Sequence, residues 1–279
     1  MTDRSAPDAA GAFFASLADR TAVMGILNVT PDSFSGDGVH GSVAMAVDQA
    51  RAMQGAGCHI LDIGGESTRP GAAPLSLEDE RSRLVPVLEA VRQAVSIPLS
   101  IDTYKAAIAK QAVGLGACIV NDVWGLQKDP GMADVVAHSG AGLVIMHNRT
   151  KADPDIDILQ DIDQFFVRSL EIAGRAGIDP GLIALDPGIG FGKTIPQNFI
   201  ILNHLERFVH HGKPLLIGLS RKRFIGEVLQ KPVEERLIGT LASNLFACSK
   251  GAAVIRVHDV AEHVDALKMI AAIKGEPYG

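Results

Sequence analysis

HILDIGG at residues 59–65, SLEDERSRLVPVLEAVRQAV at 76–95 and PLSIDT at 98–103 establish the architecture of this chain. The first and last segments are short runs rich in Leu and Ile, typical of parallel strands covered on both faces. The middle segment repeats apolar residues three and four positions apart, as a helix with one buried face requires. The three segments therefore predict a strand, a helix and a second strand parallel to the first.

The same alternation of strand and helix recurs along the chain. Helical patterns at 44–57, 161–177 and 234–252 accompany the one above. About eight βα units in one chain of this length are typical of an α/β protein with a closed (β/α)8 TIM barrel, and a doubly wound open sheet is the alternative. The eight apolar runs are TAVMGILNVT (21–30), HILDIGG (59–65), PLSIDT (98–103), CIVNDV (118–123), GLVIMH (142–147), LIALDPGI (182–189), PLLIGLS (214–220) and AAVIRVH (252–258).

The chain is predicted to form one domain. No Ser-, Gly- or Pro-rich linker and no break in composition divides it. We predict a single barrel domain over residues 21–279, and residues 1–20 as a short helical extension that covers the bottom of the barrel.

The composition indicates a folded protein without an extended anion-binding surface. Of the 279 residues, 47% are hydrophobic and 21% are charged, close to the averages for globular proteins. The formal net charge of -6 argues against a surface that coats nucleic acid or membrane, and leaves a local cationic pocket as the place where an anion could bind. We therefore expect small-molecule partners, no nucleic acid and no membrane.

The cysteines and the first 20 residues indicate the cellular compartment of the protein. Cys58, Cys118 and Cys248 are far apart, odd in number and without a Cys-x-x-Cys pair, so neither a disulfide framework nor a structural zinc site is indicated. Residues 1–20 include acidic residues and no uninterrupted apolar segment, unlike a secretion signal, and no apolar run is long enough to cross a membrane. We expect a cytoplasmic protein.

The ends of the apolar runs are where we look for chemistry, because TIM-barrel active sites lie at the carboxyl ends of the strands. Strand ends that were merely exposed to solvent would include more Gly, Ser and apolar residues. The ends here carry Asn28, Glu66–Arg69, Asp102, Asn121 and Asp122, His147–Arg149, Asp186, Ser220–Lys222, and Arg256 with His258.

Asp102, Asn121 and Asp186 end runs that are otherwise apolar. Their side chains would be partly desolvated and would need hydrogen-bond donors. An aminopyrimidinone offers amino and ring N–H donors beside a carbonyl acceptor, which these three side chains and the Lys222 ammonium could match in one plane. The alternative is that each aspartate accepts from backbone at its strand end.

Arg256 and His258 are two residues apart on a predicted strand and so point to the same face. With Arg69 they would form a cradle suited to a phosphate group. The alternative, compatible with the first, is that Arg256 pairs with Asp102 or Asp186 and His258 caps the following helix.

Two polar, glycine-containing loops follow the first two runs, at 28–38 and 64–71. They would be neighbours in a barrel and could close together over a substrate. Mobility without such a function is the alternative.

Two apparent motifs do not carry the functions they suggest. Residues 188–194 end in Gly-Lys-Thr, but only three residues separate Gly188 from Gly192, whereas a P-loop needs four. His210 and His211 are adjacent and would not share a helix face, which disfavours them as a metal-binding pair.

Seven motifs resemble those of the dihydropteroate synthase family, transferases that join a pterin to p-aminobenzoate in folate biosynthesis. They occur in the family's order and spacing, and the match runs from about residue 21 to 274. The resemblance implies a pterin-binding TIM barrel. The motifs are MGILNVTPDSFS (24–35), DIGGESTRPGA (62–72), SIDTYK (100–105), IVNDV (119–123), LDPGIGFGKT (185–194), GLSRKRFIG (218–226) and IRVHDV (255–260).

The resemblance also implies site residues and a cofactor. Mg2+ would bind with the diphosphate of 6-hydroxymethyl-7,8-dihydropterin diphosphate, and Asn28 matches the contact to both. The catalytic set is Asn28, Asp102, Lys222, Arg256 and His258. The pterin would contact Asp102, Asn121, Asp186, Lys222 and Arg256, with Val123 and Met146 as walls. The p-aminobenzoate would lie among Phe34, Thr68, Arg69, Pro70, Phe191, Lys222 and Ser220.

These residues suggest an SN1-like mechanism. An arylamine is uncharged near neutral pH and needs no strong base, so loss of diphosphate is the difficult step. Mg2+, Arg256 and His258 would stabilise the charge that develops on the diphosphate. Carboxylates near the pterin would favour the positive charge left on its methylene group, and the two loops would exclude water.

The first loop departs from the family pattern. The family places Ser-Asp-Gly-Gly after the loop phenylalanine, whereas this chain has Ser35-Gly36-Asp37-Gly38. The carboxylate is displaced by one residue, and the flanking glycines make Asp37 a candidate to substitute for it.

Two alternative functions follow. A non-catalytic pterin-binding paralogue is suggested by the Gly36–Asp37 exchange. A pterin-dependent methyltransferase that acts on a corrinoid would share the barrel, but it gives no reason for the cations at 220–222 and 256–258. The resemblance further implies a homodimer through outer helices and sensitivity to sulfonamides.

Overall fold

The computed structural model describes residues 6–18, 20–29, 38–66 and 74–278. Eight parallel strands close a barrel in chain order, with the last strand paired to the first. This confirms the predicted TIM barrel and excludes the open sheet. The strands are β1 (Ala22–Asn28), β2 (Ile60–Gly64), β3 (Leu99–Asp102), β4 (Ile119–Asp122), β5 (Gly142–Met146), β6 (Ile183–Asp186), β7 (Leu215–Ile217) and β8 (Ala252–Val257).

Helices follow the strands and form the outer layer. Within the described ranges they are α1 (Ala6–Ser16), α2 (Gly38–Gly55), α3 (Leu77–Ala94), α4 (Ala106–Gly114), α5 (Met132–Ser139), α6 (Ile158–Ala176), α7 (Ile195–Asn203), α8 (Arg223–Leu229), α9 (Leu237–Ser249) and α10 (Val260–Lys274). Short 3-10 segments lie at Pro180–Leu182, Leu205–His211 and Val233–Glu235. None of the described helices has both the length and the apolar character needed to cross a membrane.

Local sequence explains where the longer helices begin and end. The Ser76 side chain accepts a hydrogen bond from the Asp79 amide at 3.1 Å and caps α3, whose first turn is acidic. These carboxylates lie at the positive end of the helix dipole. Asp157 caps α6 in the same way, and Gly177, with φ of 80°, ends it in the left-handed conformation that glycine tolerates.

The lower half of the barrel interior is apolar. Successive residues of a strand point to opposite faces, so every second residue enters the barrel. Near the amino ends of the strands these inward residues form a buried cluster, and their packing closes the interior there. They include Met24, Ile60, Val144, Ala184, Leu216 and Val254.

Helix α1 covers this end of the barrel. Its Phe13 and Phe14 are buried in the same apolar cluster. A Cβ at Gly142, the first residue of β5, would lie 2.6 Å from the Phe14 ring, so the ring packs directly on the strand backbone. The part of the predicted extension that forms α1 is therefore packed against the barrel, while the bounds 1–20 and the domain division stay predictions.

The carboxyl half of the interior is polar. Strand register places Asp102 opposite Gly64 on one side and Asn121 on the other, and places Met146 opposite Asp186. Side chains in register on neighbouring parallel strands point to the same face. The fold therefore brings residues from distant parts of the sequence together at the carboxyl end of the barrel.

Candidate active site

The carboxyl end of the barrel holds a buried group of charged side chains. Arg256 Nε lies 2.6 Å from Asp62 Oδ2, and Arg256 Nη2 lies 2.7 Å from Asp102 Oδ2. Asn121 Nδ2 donates to the same Asp62 oxygen at 3.0 Å. One guanidinium thus holds two carboxylates supplied by neighbouring strands. We call Asp62, Asp102, Asn121 and Arg256 the Arg256 cluster.

The negative charge in this cluster depends on Arg256. Asp62 is completely buried and Asp102 is 7% exposed. Burial raises the pKa of the Asp102 carboxyl above its ordinary value, Arg256 opposes that rise, and Asp62 adds to it. Removing the guanidinium would leave two carboxylates close together without solvent to stabilise them.

Three oxygens of the Arg256 cluster have no hydrogen-bond partner within the described residues. They are Asp62 Oδ1, Asp102 Oδ1 and Asn121 Oδ1, and all are shielded from solvent. A buried polar atom without a partner costs about 1–3 kcal/mol. A flat ligand with several N–H donors along one edge would satisfy such acceptors.

Lys222 lies beside this cluster, at the start of α8. Its Nζ donates to the Ile189 carbonyl and lies 4.7 Å from the centre of the Phe191 ring. Burial lowers the pKa of Lys222 to about 8, while Asp186 opposes this effect and Arg256 reinforces it. The ammonium group is therefore a hydrogen-bond donor that loses its proton just above neutral pH.

Asp186 is oriented by the loop that follows β6. Its Oδ1 accepts from the Gly188 amide at 2.7 Å. Burial raises the pKa of Asp186, whereas Lys222 and the Gly188 amide lower it. Gly188 has φ of 67°, and a Cβ there would lie 1.9 Å from the His147 carbonyl oxygen, so only glycine fits.

Lys193 is buried within the loop that follows β6 and binds its backbone. Its Nζ donates to the carbonyls of Gly188 at 2.7 Å, Phe191 at 3.0 Å and His147 at 3.4 Å. Burial lowers the pKa of Lys193 well below its ordinary value. This lysine acts through the backbone that positions Asp186 and Phe191, so it is a positioning residue. The adjacent Thr194 caps α7, which leaves the Gly-Lys-Thr sequence without a P-loop role.

Ser220 and His258 meet at the ends of β7 and β8. Ser220 Oγ lies 2.9 Å from His258 Nδ1 and accepts from the His258 amide at 3.2 Å. The neighbouring Arg221 pairs with Asp259. The imidazole is therefore oriented by a hydroxyl group, and Arg221 is engaged in a structural ion pair.

The residues after β5 serve to anchor the loop. His147 Nε2 lies 3.0 Å from Asp161 Oδ2, and Arg149 Nη1 lies 2.7 Å from the same oxygen. Asn148 Nδ2 donates to the Val123 carbonyl at 2.9 Å. These three side chains bind the loop to α6 and to Val123, the residue after β4.

The residues that follow β4 have a similar structural function. The Asp122 carboxylate accepts from the amides of Trp124 at 2.9 Å and Leu126 at 2.7 Å. Burial raises the pKa of Asp122 to about 6, and these two amides oppose that rise. Asp122 therefore stabilises a turn, whereas its neighbour Asn121 belongs to the Arg256 cluster.

This arrangement can be compared with known proteins. A family model described as pterin binding enzyme matches residues 24–258. The dihydropteroate synthase of Bacillus subtilis (strain 168) is 47% identical over 258 residues, which cover 92% of this chain and 90% of that protein. This chain belongs to the dihydropteroate synthase family.

Solved structures of the dihydropteroate synthase family show the same fold. The Xanthomonas albilineans enzyme in complex with 7,8-dihydropteroate has a TM-score of 0.85 and 41% identity, and the match covers 93% of this chain and 95% of that one. The Yersinia pestis enzyme with a sulfonamide drug complex has a TM-score of 0.86 and 42% identity, covering 93% and 96%.

The structure brings together many of the residues that the sequence predicted. Arg256 pairs with Asp102, and Asn121 joins them through Asp62. The charges of Asp186, Arg256 and Asp102 all act on Lys222 at the same end of the barrel. Asn28 ends β1, Ser220 contacts His258, and Val123 and Met146 are buried at the ends of β4 and β5. The alternative that Arg256 pairs with Asp102 is also realised. Predicted residues Phe34, Thr68, Arg69 and Pro70, together with Asp37, lie outside the described residues.

Sequence reasoning missed Asp62 and Lys193. Asp62 lies within an apolar run, whereas the predicted site residues end or follow the runs. The strand period of two offers a signal, because it places Asp62 on the same face as Ile60 and Gly64, inside the barrel. A carboxylate on that face needs a cation, and Arg256 is the cation that meets it.

Proposed function

We propose that this chain condenses 6-hydroxymethyl-7,8-dihydropterin diphosphate with p-aminobenzoate, giving 7,8-dihydropteroate and diphosphate. Membership of the dihydropteroate synthase family supports this transferase activity. The observation that carries the proposal is the set of three unpartnered buried oxygens on Asp62, Asp102 and Asn121. The amino and ring N–H groups of a pterin are donors of the kind that these oxygens lack.

The described residues supply the rest of the pterin contacts. In the proposed complex Asp186 accepts from the pterin and Lys222 donates to its carbonyl oxygen. Val123 and Met146, 4% and 3% exposed, form walls. Arg256 lies against the ring while it holds Asp102.

The p-aminobenzoate is proposed to bind above the pterin. The Phe191 ring, over which Lys222 Nζ lies at 4.7 Å, offers an aromatic surface for the benzoate ring. Ser220 Oγ is a donor for the carboxylate, beside the imidazole of His258. The Phe34, Thr68, Arg69 and Pro70 contacts implied by the family belong to this half of the proposed site.

Mg2+ is proposed as the cofactor, and the donor chemistry at the mouth of the barrel fits it. Asn28 ends β1 as a half-buried carboxamide, and its strand neighbour there is Gly64. Mg2+ commonly uses one or two protein oxygens together with substrate phosphates and water. The carboxamide oxygen of Asn28 would hold the ion, which would supply charge neutralisation on the diphosphate.

The chemical step is proposed to be SN1-like. Arg256 and His258 donate toward the departing diphosphate, and the carboxylates of Asp102 and Asp186 stabilise positive charge on the pterin methylene. The amine needs no base, and none of the described residues has to supply one. We expect a secondary deuterium isotope effect clearly above unity at that methylene under single-turnover conditions. A value of unity with chemistry shown to limit the rate contradicts the cationic intermediate.

A direct assay tests the proposed function. Purified full-length protein is incubated with the pterin diphosphate, radiolabelled p-aminobenzoate and Mg2+, and labelled dihydropteroate is measured with and without EDTA. We expect EDTA-sensitive product from wild type and from Asn203→Ala, whose side chain is exposed at the end of α7. Asn121→Ala removes one of the unpartnered acceptors and should lower kcat/KM by about tenfold or more.

The assay separates the alternatives. Saturable binding of pterin diphosphate without product would favour the non-catalytic paralogue. Methyl transfer to a corrinoid without dihydropteroate would favour the methyltransferase. Product formation that resists EDTA would leave the synthase activity intact and reject Mg2+.

A homodimer is also proposed, with a second copy of this chain packed on helices α7 to α9. Phe199 and Phe224 contact each other across α7 and α8 at 5.6 Å between ring centres. Phe199 is 40% exposed, and Ile238 and Phe246 on α9 are 75% and 43% exposed. We expect sedimentation equilibrium to give twice 29.4 kDa, and Ile238→Glu to shift the mass toward the monomer. A wild-type monomer at micromolar concentration contradicts the dimer.

The protein is also proposed to be cytoplasmic. Cys58, Cys118 and Cys248 are free thiols, and burial raises the pKa of each to about 11. Free thiols are typical of proteins in a reducing compartment. Recovery of the protein with the cytoplasmic fraction after cell lysis is the expected result, and recovery with the membrane fraction contradicts it.

A further inference from the structure

A cluster of one carboxylate and two imidazoles lies in the outer layer of the barrel. Asp163 belongs to α6, and His210 and His211 end the 3-10 segment Leu205–His211. Asp163 Oδ1 is 3.2 Å from His211 Nε2 and 3.9 Å from His210 Nε2. Their potential ligand atoms all lie within 4.8 Å of one another. No residue assigned to the substrates takes part.

The spacing of these atoms suits a tetrahedral zinc ion. Zinc binds imidazole nitrogen and carboxylate oxygen at about 2.0–2.2 Å, so neighbouring ligand atoms are about 3.3 Å apart. The Asp163–His211 distance of 3.2 Å already matches such an edge. The 3.9 Å separation between Asp163 and His210 needs only a small side-chain movement, and His210 is 59% exposed and able to make it.

The His210 imidazole is oriented as metal ligands usually are. His210 Nδ1 lies 2.6 Å from the Arg207 carbonyl oxygen, which favours a proton on Nδ1 and leaves the lone pair of Nε2 toward Asp163. The two imidazole rings lie 4.0 Å apart with an interplanar angle of 36°. His211 is also held by Phe166, whose ring lies 5.6 Å away edge to face.

The fold explains why sequence adjacency does not prevent this arrangement. Adjacent residues point in different directions on a regular α-helix, which is why the sequence disfavoured a metal-binding pair. Here the two histidines are the last residues of a 3-10 segment, and Gly212 follows with φ of 65°. The third ligand comes from a different helix, and its Oδ1 lies within 3.9 Å of the Nε2 atom of each histidine.

We propose that Asp163, His210 and His211 bind one zinc ion, with water as the fourth ligand. Exposure of His210 provides an entry path and room for the water. The ion would join α6 to the segment that leads into β7, and would therefore stabilise the fold rather than take part in the reaction.

Arg207 contacts Asp163 and allows the zinc affinity of the cluster to be changed without removing a ligand. Its Nε lies 3.1 Å from Asp163 Oδ2, the oxygen that does not face the histidines. The guanidinium therefore orients the carboxylate, but its positive charge opposes a cation nearby. Arg207→Gln removes that charge and keeps the backbone carbonyl that orients His210.

Metal analysis after equilibrium dialysis tests this site. Full-length protein is stripped with EDTA, then dialysed against micromolar zinc in millimolar Mg2+, which occupies sites built from oxygen ligands. We expect one zinc per chain in wild type, a loss of affinity of about tenfold or more in Asp163→Asn and His210→Ala, and tighter binding in Arg207→Gln. His138→Ala is the matched control, because His138 is an exposed helical histidine with the same kind of Nδ1 contact to a backbone carbonyl.

Thermal unfolding provides a second readout. Zinc should raise the Tm of wild type and of His138→Ala, and should raise the Tm of His210→Ala by clearly less at the same zinc concentration. Equal zinc binding by wild type, Asp163→Asn and His210→Ala would overturn the proposal, as would the absence of stoichiometric zinc in wild type. His210 is exposed, so its replacement should not prevent folding.

Discussion

Arg256→Met is expected to lower kcat by about a hundredfold to a thousandfold and to destabilise the fold by about 3–5 kcal/mol. The guanidinium is the partner of both Asp62 and Asp102, and neither carboxylate has solvent to replace it. The same loss removes a donor proposed to act on the leaving diphosphate. Urea unfolding and single-turnover assays measure the two effects separately.

The destabilisation should depend on pH in a defined direction. Burial already raises the pKa of Asp102, and loss of Arg256 raises that pKa further. A carboxyl whose pKa is higher in the folded state binds more protons there than in the unfolded chain, so stability falls as pH rises above the unfolded value. Arg256→Met should therefore be least stable relative to wild type at alkaline pH. Arg223→Met, which removes an arginine whose side chain is 84% exposed, serves as the control. Equal stability of the Arg256 variant and wild type at pH 8 would contradict this account.

Lys222→Met is expected to lower kcat/KM for the pterin diphosphate by about a hundredfold or more, because it removes a buried charged donor from the proposed pterin carbonyl. Wild type should show a further signature. Burial lowers the pKa of Lys222 to about 8, so the free enzyme loses this donor as pH rises through that value. We expect wild-type kcat/KM to decline with a slope of one proton above about pH 8.

The pH profile of the variant identifies the group that titrates. Lys222→Met should have a flat profile over the range where wild type declines. Lys268→Met, a surface lysine paired with Asp265, should keep the wild-type profile. If kcat/KM of Lys222→Met falls with pH in the same way as that of wild type, the group that titrates belongs to the substrate. Lys222 would then not have this role.

Much of the fold follows from the sequence because strands of a parallel barrel are buried on both faces. Each apolar run contains one strand, and in the runs 98–103 and 252–258 the strand ends one residue before the run does. Closure into a barrel then follows from the number of units. Strand β7 is the weakest case, since only Leu215–Ile217 of the run at 214–220 is a strand, and its pairing with β8 shifts register at Leu216.

The site is only partly predictable from the sequence, because some of its residues take their role from contacts with residues that are distant in the sequence. Asp102 and Arg256 were identifiable as strand-end residues, but their shared partner Asp62 was not, because its role depends on a contact with a residue 194 positions away. Lys193 belongs to the Gly-Lys-Thr sequence, whose spacing does not fit a P-loop and indicates no other role for the lysine. Its function comes from three carbonyls that meet only after the loop has folded. The residues predicted around p-aminobenzoate in the two loops stay predictions.

The packing of α1 on the amino end of the barrel has a consequence for the order in which substrates bind and products leave. Phe13 and Phe14 are buried in the apolar cluster at that end, so within the described part of the chain the Arg256 cluster is reached from the carboxyl ends of the strands. If the pterin rests on the Arg256 cluster, p-aminobenzoate arriving first would stand in its way, and the product can leave only after the diphosphate has cleared the opening. The order in which substrates enter and products depart would then depend on the amino end of the barrel, where Phe13 and Phe14 are buried on the side away from the Arg256 cluster.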